Sequence, residues 1–142
     1  MKKRSERLSR IAQLRALARQ RAQRTLGHDL KSLAQSREQH QLLLGYQSSY
    51  QSGMEKAVMG NTLLNQRAFL QSIGRAVSQQ EEQVRQDTLR VRMSRARWME
   101  SWRAANAMDE WVSELQKQER TDLDRRQQLS SDDLLSTRYR KE

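Results

Sequence analysis

The chain has 142 residues, a net charge of +10, five glycines, one Phe, and neither proline nor cysteine. The lack of cysteine leaves no disulfide framework and no thiolate metal site, which fits a reducing compartment. No apolar run approaches the ~18 residues of a membrane span, and the basic N-terminus has no apolar core behind it to make a secretory signal. At 35% apolar residues the chain cannot build a thick core, but it can build a narrow seam. Its Arg, Gln, Glu, Ala, Leu and Ser content suits long helices, and with no proline they meet no obligatory break.

Residues 1–24 carry Lys2, Lys3, Arg4, Arg7, Arg10, Arg15, Arg19, Arg21 and Arg24 against one acid, Glu6. Leu8, Ile11, Leu14, Leu17, Ala18 and Ala22 lie between them at helical spacing. This predicts a basic amphipathic helix. The apolar stripe continues through Leu26, Leu30, Leu33, Leu43 or Leu44, Tyr46, Tyr50 and Met54, interrupted by Arg37 and His40. Helix 1 is expected over about 3–58. Gly60 suits the left-handed position that ends a helix, and Asn61 or Thr62 suits the N-cap of the next. A turn is expected at about 59–62, with Gly53 as the alternative.

Helix 2, expected over about 63–120, holds the strongest pattern. Stepping by seven from Leu63 gives Leu70, Val77, Val84, Val91, Trp98, Ala105 and Val112, all apolar. A heptad this long is the mark of a helix supercoiled against a partner. At 1.5 Å per residue it extends over about 80 Å. The second seam runs Gln66, Ile73, Gln80, Asp87, Ser94, Ser101, Met108 and Leu115, polar in its middle. Two helices of similar length joined by a short turn fold back antiparallel, so paired residue numbers should add to about 120. Leu33 then faces Asp87, His40 faces Gln80 and Leu8 faces Val112. After Leu115 the seam stops. The polar tail, 121–142, is expected to fray, apart from a short helix capped by Ser131-Asp132-Asp133. The expected fold class is all-α: one long antiparallel two-helix coiled-coil hairpin over 1–142.

No enzyme site is visible. The glycines do not have the spacing of a phosphate-binding loop, and no His-Glu-x-x-His occurs. His28 and His40 have no cluster of ligands around them, so neither a metal site nor a cofactor is expected. Adjacent acids such as Glu81-Glu82 point about 100° apart on a helix and do not converge.

The basic charge admits several uses. Under antiparallel pairing the N-terminal arginines fall near Arg90, Arg92, Arg95, Arg97 and Arg103. Such a surface serves phosphate contacts, a membrane surface, an acidic protein partner, or solvation alone. With one Phe there is no base-stacking platform, and aromatic membrane anchors are missing, so an acidic protein partner fits best. Phe69, Ile73, Ala76 and Gln80 share one helix face, and Phe69 stands off the main seam line. They form a candidate docking patch, against the alternative that Phe69 merely flanks and covers the seam.

These residues have a counterpart. Leu43-Leu44-Gly45-Tyr46-Gln47-Ser48-Ser49-Tyr50, Phe69-Leu70-Gln71-Ser72-Ile73-Gly74-Arg75-Ala76-Val77, Trp98 and Arg126-Gln127-Gln128-Leu129-Ser130-Ser131-Asp132-Asp133-Leu134-Leu135 occur in order over most of the chain. In this the chain resembles the FliJ family of flagellar export proteins and, more distantly, the stalk proteins of virulence type III secretion systems. The resemblance implies an antiparallel coiled coil similar to the central stalk of rotary ATPases. It implies a non-enzymatic coupling role in type III export and flagellum biogenesis. The implied partners are the hexameric flagellar export ATPase, the export gate membrane protein and substrate export chaperones. The implied location is the cytoplasm, peripheral to the inner face of the membrane at the flagellar base. The gate-binding patch then falls on Phe69, Ile73, Ala76 and Gln80, where relatives often have histidine in place of Gln80. The ATPase-ring contact is assigned to Arg15, Arg19, Arg95 and Arg97. The rival expectation is a basic coiled-coil nucleic-acid-binding protein.

Overall fold

A computed structural model describes residues 4–54 and 60–141. The fold is all-α, a two-helix hairpin in which α1 (Arg4–Met54) and α2 (Gly60–Lys141) pack against each other. Met59, where the turn was expected to begin, lies outside the described residues. Gly60, Asn61 and Thr62 belong to α2, and no described glycine has a positive φ. So Gly60 opens the second helix and does not close the first.

The tail departs from expectation in the same way. α2 does not stop near residue 120 but continues to Lys141. Beyond Gly74 the sequence has no glycine, and it has no proline anywhere, so nothing breaks the helix. Two hydroxyls that could compete with helix are satisfied inside it: Thr121 Oγ1 donates to Lys117 O and Thr137 Oγ1 to Asp133 O. Ser131-Asp132-Asp133 is thus helix interior, not a cap.

The chain divides into two compact units, each made of part of both helices. The first joins the start of α1, up to residue 20, with α2 from residue 99 onward. Its core is made of small residues, Ala12, Ala105 and Val112, with Leu8 and Ala16 half-buried beside them. At the start of α1 the Ser5 N–H donates to Glu119 Oε1 at 3.2 Å, and the Ser5 hydroxyl donates to Oε2. The first N–H groups of a helix lack partners within it and carry partial positive charge, so a carboxylate there both satisfies and stabilises the end.

The second unit is residues 21–98. Leu33, Ile73, Val77 and Val91 form its apolar core, while Leu70, Val84 and Trp98 are half-buried. Four polar side chains, Asp29, Ser36, Asp87 and Ser94, are buried with them. Each has a partner. Ser94 Oγ donates to Asp29 Oδ2 across the helix pair. Ser36 Oγ donates back to Leu33 O. Asp87 accepts from Gln83 Nε2 at 3.1 Å and Arg90 Nη1 at 3.4 Å, both on its own helix. A buried polar atom without a partner is costly, and these bonds remove that cost.

Pairs across the helices keep the expected register. Asp29 meets Ser94, Gln80 meets Ser36 and Gln39, and Tyr50 meets Phe69. Leu33 and Asp87, expected opposite one another, are both buried.

The stripe expected on α1 is corrected. Ile11, Leu14, Leu17 and Leu30 are exposed, and the buried residues are Ser5, Ala12, Asp29, Leu33 and Ser36. α1 does carry a heptad line, through Ser5, Ala12, Arg19, Leu26, Leu33 and His40, none of them exposed. Small and polar residues occupy much of it, so counting apolar residues follows the outer face.

Candidate interaction surfaces

The second unit carries the aromatic surface. Phe69 is 45% exposed, and its ring lies 4.3 Å from that of Tyr50, tilted by 36°. The contact fixes the face that Phe69 turns to α1 and leaves the rest of the ring accessible. Tyr46 and Leu42, one and two turns back on α1, are also exposed. Ile73 is buried, so it belongs to the core beneath Phe69 rather than to the surface. Ala76 is half-buried. Gln80 is half-buried as well, and its amide donates to Ser36 O at 3.0 Å and to Gln39 Oε1 at 3.3 Å. Of the four residues expected in one patch, Phe69 and Ala76 present surface, Ile73 supports it, and Gln80 ties the two helices together.

The same unit holds a shallow groove of about 500 Å³ lined by His40, Glu81, Val84, Arg85, Thr88, Leu89 and Arg92. His40 Nε2 lies 3.5 Å from Glu81 Oε1, an ion pair when the imidazole is protonated. Arg85 pairs with Glu82 one turn away at 3.4 Å.

The arginines expected to meet a partner divide between the units. Arg15 and Arg19 lie in the first, Arg15 exposed and Arg19 half-buried. Arg95 and Arg97 lie in the second, both exposed. None of the four is held in an ion pair among the described residues. Their charge is therefore directed to solvent or to another molecule.

Of the seam residues, Val77, Val91, Ala105 and Val112 are buried, and Leu70, Val84 and Trp98 are half-buried. The side chain of Leu63 is outside the described set. Sequence reasoning missed Glu119 on the start of α1, the Asp29–Ser94 bond and the Tyr50–Phe69 contact. Only the last left a signal, two aromatics at the expected register. Among the described residues no cluster of three or more His, Asp or Glu could hold a metal ion, and no helix is long and apolar enough to cross a membrane.

A family model described as Flagellar FliJ protein matches residues 3–142. The chain is 30% identical over 83 residues to the Flagellar FliJ protein of Escherichia coli (strain K12). That match covers 56% of this chain and 56% of the relative, so the chain spans about half the length of the curated relative it matches. No solved structure matches. With nearly its whole length matched by the family model, the chain belongs to the flagellar FliJ protein family.

Proposed function

We propose that this chain, a flagellar export component by its family, is a non-enzymatic coupling stalk of the type III export apparatus. In this role it links the hexameric export ATPase ring to the membrane export gate and to substrate chaperones. It works in the cytoplasm, peripheral to the membrane at the flagellar base. The observation that carries the proposal is how the side chains are used. Buried polar groups are spent on bonds within the helix pair, while an aromatic ring and arginines without an ion pair among the described residues are left toward the surface. That is the chemistry of a scaffold that is held by others.

Phe69 is the anchor for the gate, flanked by Ala76, with Ile73 holding the core beneath it. Burying a Phe is worth about 1.5–3 kcal/mol, enough to dominate a small contact. Arg15, Arg19, Arg95 and Arg97 supply the attraction to an acidic ring. Neither cofactor nor metal enters this role.

A pull-down from cells after nuclease treatment tests the proposal. Export ATPase and gate protein should co-purify with the chain and resist nuclease. Loss of every partner on nuclease treatment would instead support the basic coiled-coil nucleic-acid-binding protein.

A further inference from the structure

The groove beside His40 in the second unit combines an apolar floor with a cationic edge. Val84 and Thr88 are half-buried in it, and Leu89 is 54% exposed. The Thr88 hydroxyl donates to Val84 O at 2.7 Å, so it offers the groove no free donor. Arg85 and Arg92 stand seven residues apart, on one line along α2. From Glu81 to Arg92 the lining rises by about 17 Å, three turns of helix.

The charges along it are not used alike. Glu81 lies 3.5 Å from His40 Nε2, and Glu82 pairs with Arg85 at 3.4 Å. Both carboxylates therefore have a partner within the chain. Arg92 is exposed and holds no ion pair among the described residues. The Arg85–Glu82 pair joins side chains that are 69% and 54% exposed, and a pair so open to water adds little. Arg85 exchanges it at small cost for a carboxylate held against the apolar floor. What the groove offers an incoming molecule is thus apolar surface with two cations along it.

The groove lies on the flank away from Phe69. Phe69 directly precedes the seam residue Leu70, whereas Arg85 and Arg92 directly follow the seam residues Val84 and Val91. Residues before and after a seam position point to opposite flanks of the pair. An occupant of the groove therefore leaves Phe69 uncovered. Nucleic acid would bring phosphates to Arg92, but it would also set them near Glu81 and gain nothing from Leu89. A second copy of the chain, at a net charge of +10, would bring mostly like charge. A helix with an apolar row flanked by carboxylates satisfies floor and edge together.

We propose that this groove takes an acidic amphipathic helix of another protein, laid along α2 with its apolar row on Val84 and Leu89 and its carboxylates on Arg85 and Arg92. The groove shares no residue with the surfaces assigned above to the gate and the ring, so it stands or falls apart from them. The apolar row supplies affinity, and the charges select an acidic partner over a basic one.

Titration of the full chain with a fluorescent helical peptide of about four turns tests this by anisotropy. The peptide carries leucines at steps of three and four, with glutamates seven residues apart beside them. Its Kd should fall at about 10–100 µM, and a peptide with lysine in place of each glutamate should not bind. Arg92→Glu should weaken binding about tenfold, and Leu89→Ala about 3- to 10-fold. Arg85→Glu and Arg92→Glu together should lose the acidic peptide and take up the lysine peptide. Arg126→Glu with Arg138→Glu lowers the net charge equally and should change binding little. In the wild type, with no substitution made, amide shifts on adding the peptide should centre on His40 and residues 81–92. Absence of binding up to about 1 mM peptide overturns the proposal. So do shifts centred elsewhere, equal weakening by the two pairs of reversals, or a single-stranded oligonucleotide that binds the groove more tightly than the peptide.

Discussion

The two units are built from the same pair of helices and held by different means. In the first, Ala12, Ala105 and Val112 form the core, and the large apolar residues Ile11, Leu14 and Trp111 are left outside. Its polar contact is terminal, with Glu119 closing the start of α1. In the second, Leu33, Ile73, Val77 and Val91 share the interior with Asp29, Ser36, Asp87 and Ser94. Polar bonds cross between the helices there, from Ser94 to Asp29 and from Gln80 to Ser36 and Gln39. Small residues let helices approach but say little about register, since alanine packs about as well one heptad along. A carboxylate that must find one hydroxyl specifies register at some cost in stability. Bonds that specify register therefore cross the pair in both units, more of them in the second, while the first keeps its larger apolar residues for its surface.

Substitutions in each unit should separate these roles, and the largest effect is expected in the second. Ser94→Ala removes the hydroxyl on buried Asp29 and should cost about 1–3 kcal/mol in thermal or urea unfolding. Adding Asp29→Ala should recover part of that loss, because the orphaned carboxylate is gone as well. A double-mutant cycle without coupling would show that the bond contributes nothing to alignment. In the first unit, Glu119→Ala should cost about 1 kcal/mol, the usual size of a lost N-terminal cap. Its effect should include faster amide exchange in the first turn of α1. The smallest effect has the opposite sign. Among the described residues Asp87 is bonded within its own helix, to Gln83 and to the half-exposed Arg90, and Leu33, expected opposite it, is also buried. Asp87→Leu should therefore leave stability unchanged or raise it by up to about 1 kcal/mol. A marked loss would mean that Asp87 also helps to align the helices.

The contrast between the units explains how much could be read in advance. The α2 seam was legible because the chain is mostly polar, so Val77, Val91 and Val112 at sevenfold spacing stand out. That pattern, with the absence of proline, carried the all-α hairpin and its register. The α1 seam was not legible. Ser5, Ala12, Asp29 and Ser36 are buried because they face another helix, and nothing in their own chemistry announces it. Meanwhile Ile11, Leu14 and Leu17 have helical spacing on the wrong face. Ser131-Asp132-Asp133 misled in a similar way, since residues that cap helices are also tolerated inside them when the exposed side chains reach water or their own backbone. At the candidate site, the prominence of Phe69 was readable from its step off the seam line. The burial of Ile73 and the bonds of Gln80 were not, because both depend on which residues of α1 lie opposite.

The two-surface account turns on whether an aromatic anchor and a set of arginines act separately. The direct test compares Phe69→Ala with charge reversal at Arg15, Arg19, Arg95 and Arg97. Gate binding and stimulation of the export ATPase are measured for both, each at low and high salt. Phe69→Ala should weaken gate binding about 10- to 100-fold, little changed by salt, and leave ATPase stimulation intact. The charge reversal should reduce ATPase stimulation and spare the gate, and its effect should shrink as salt screens the attraction. Equal damage to both activities by both variants, at either salt concentration, would contradict the account and point to general destabilisation of the helix pair.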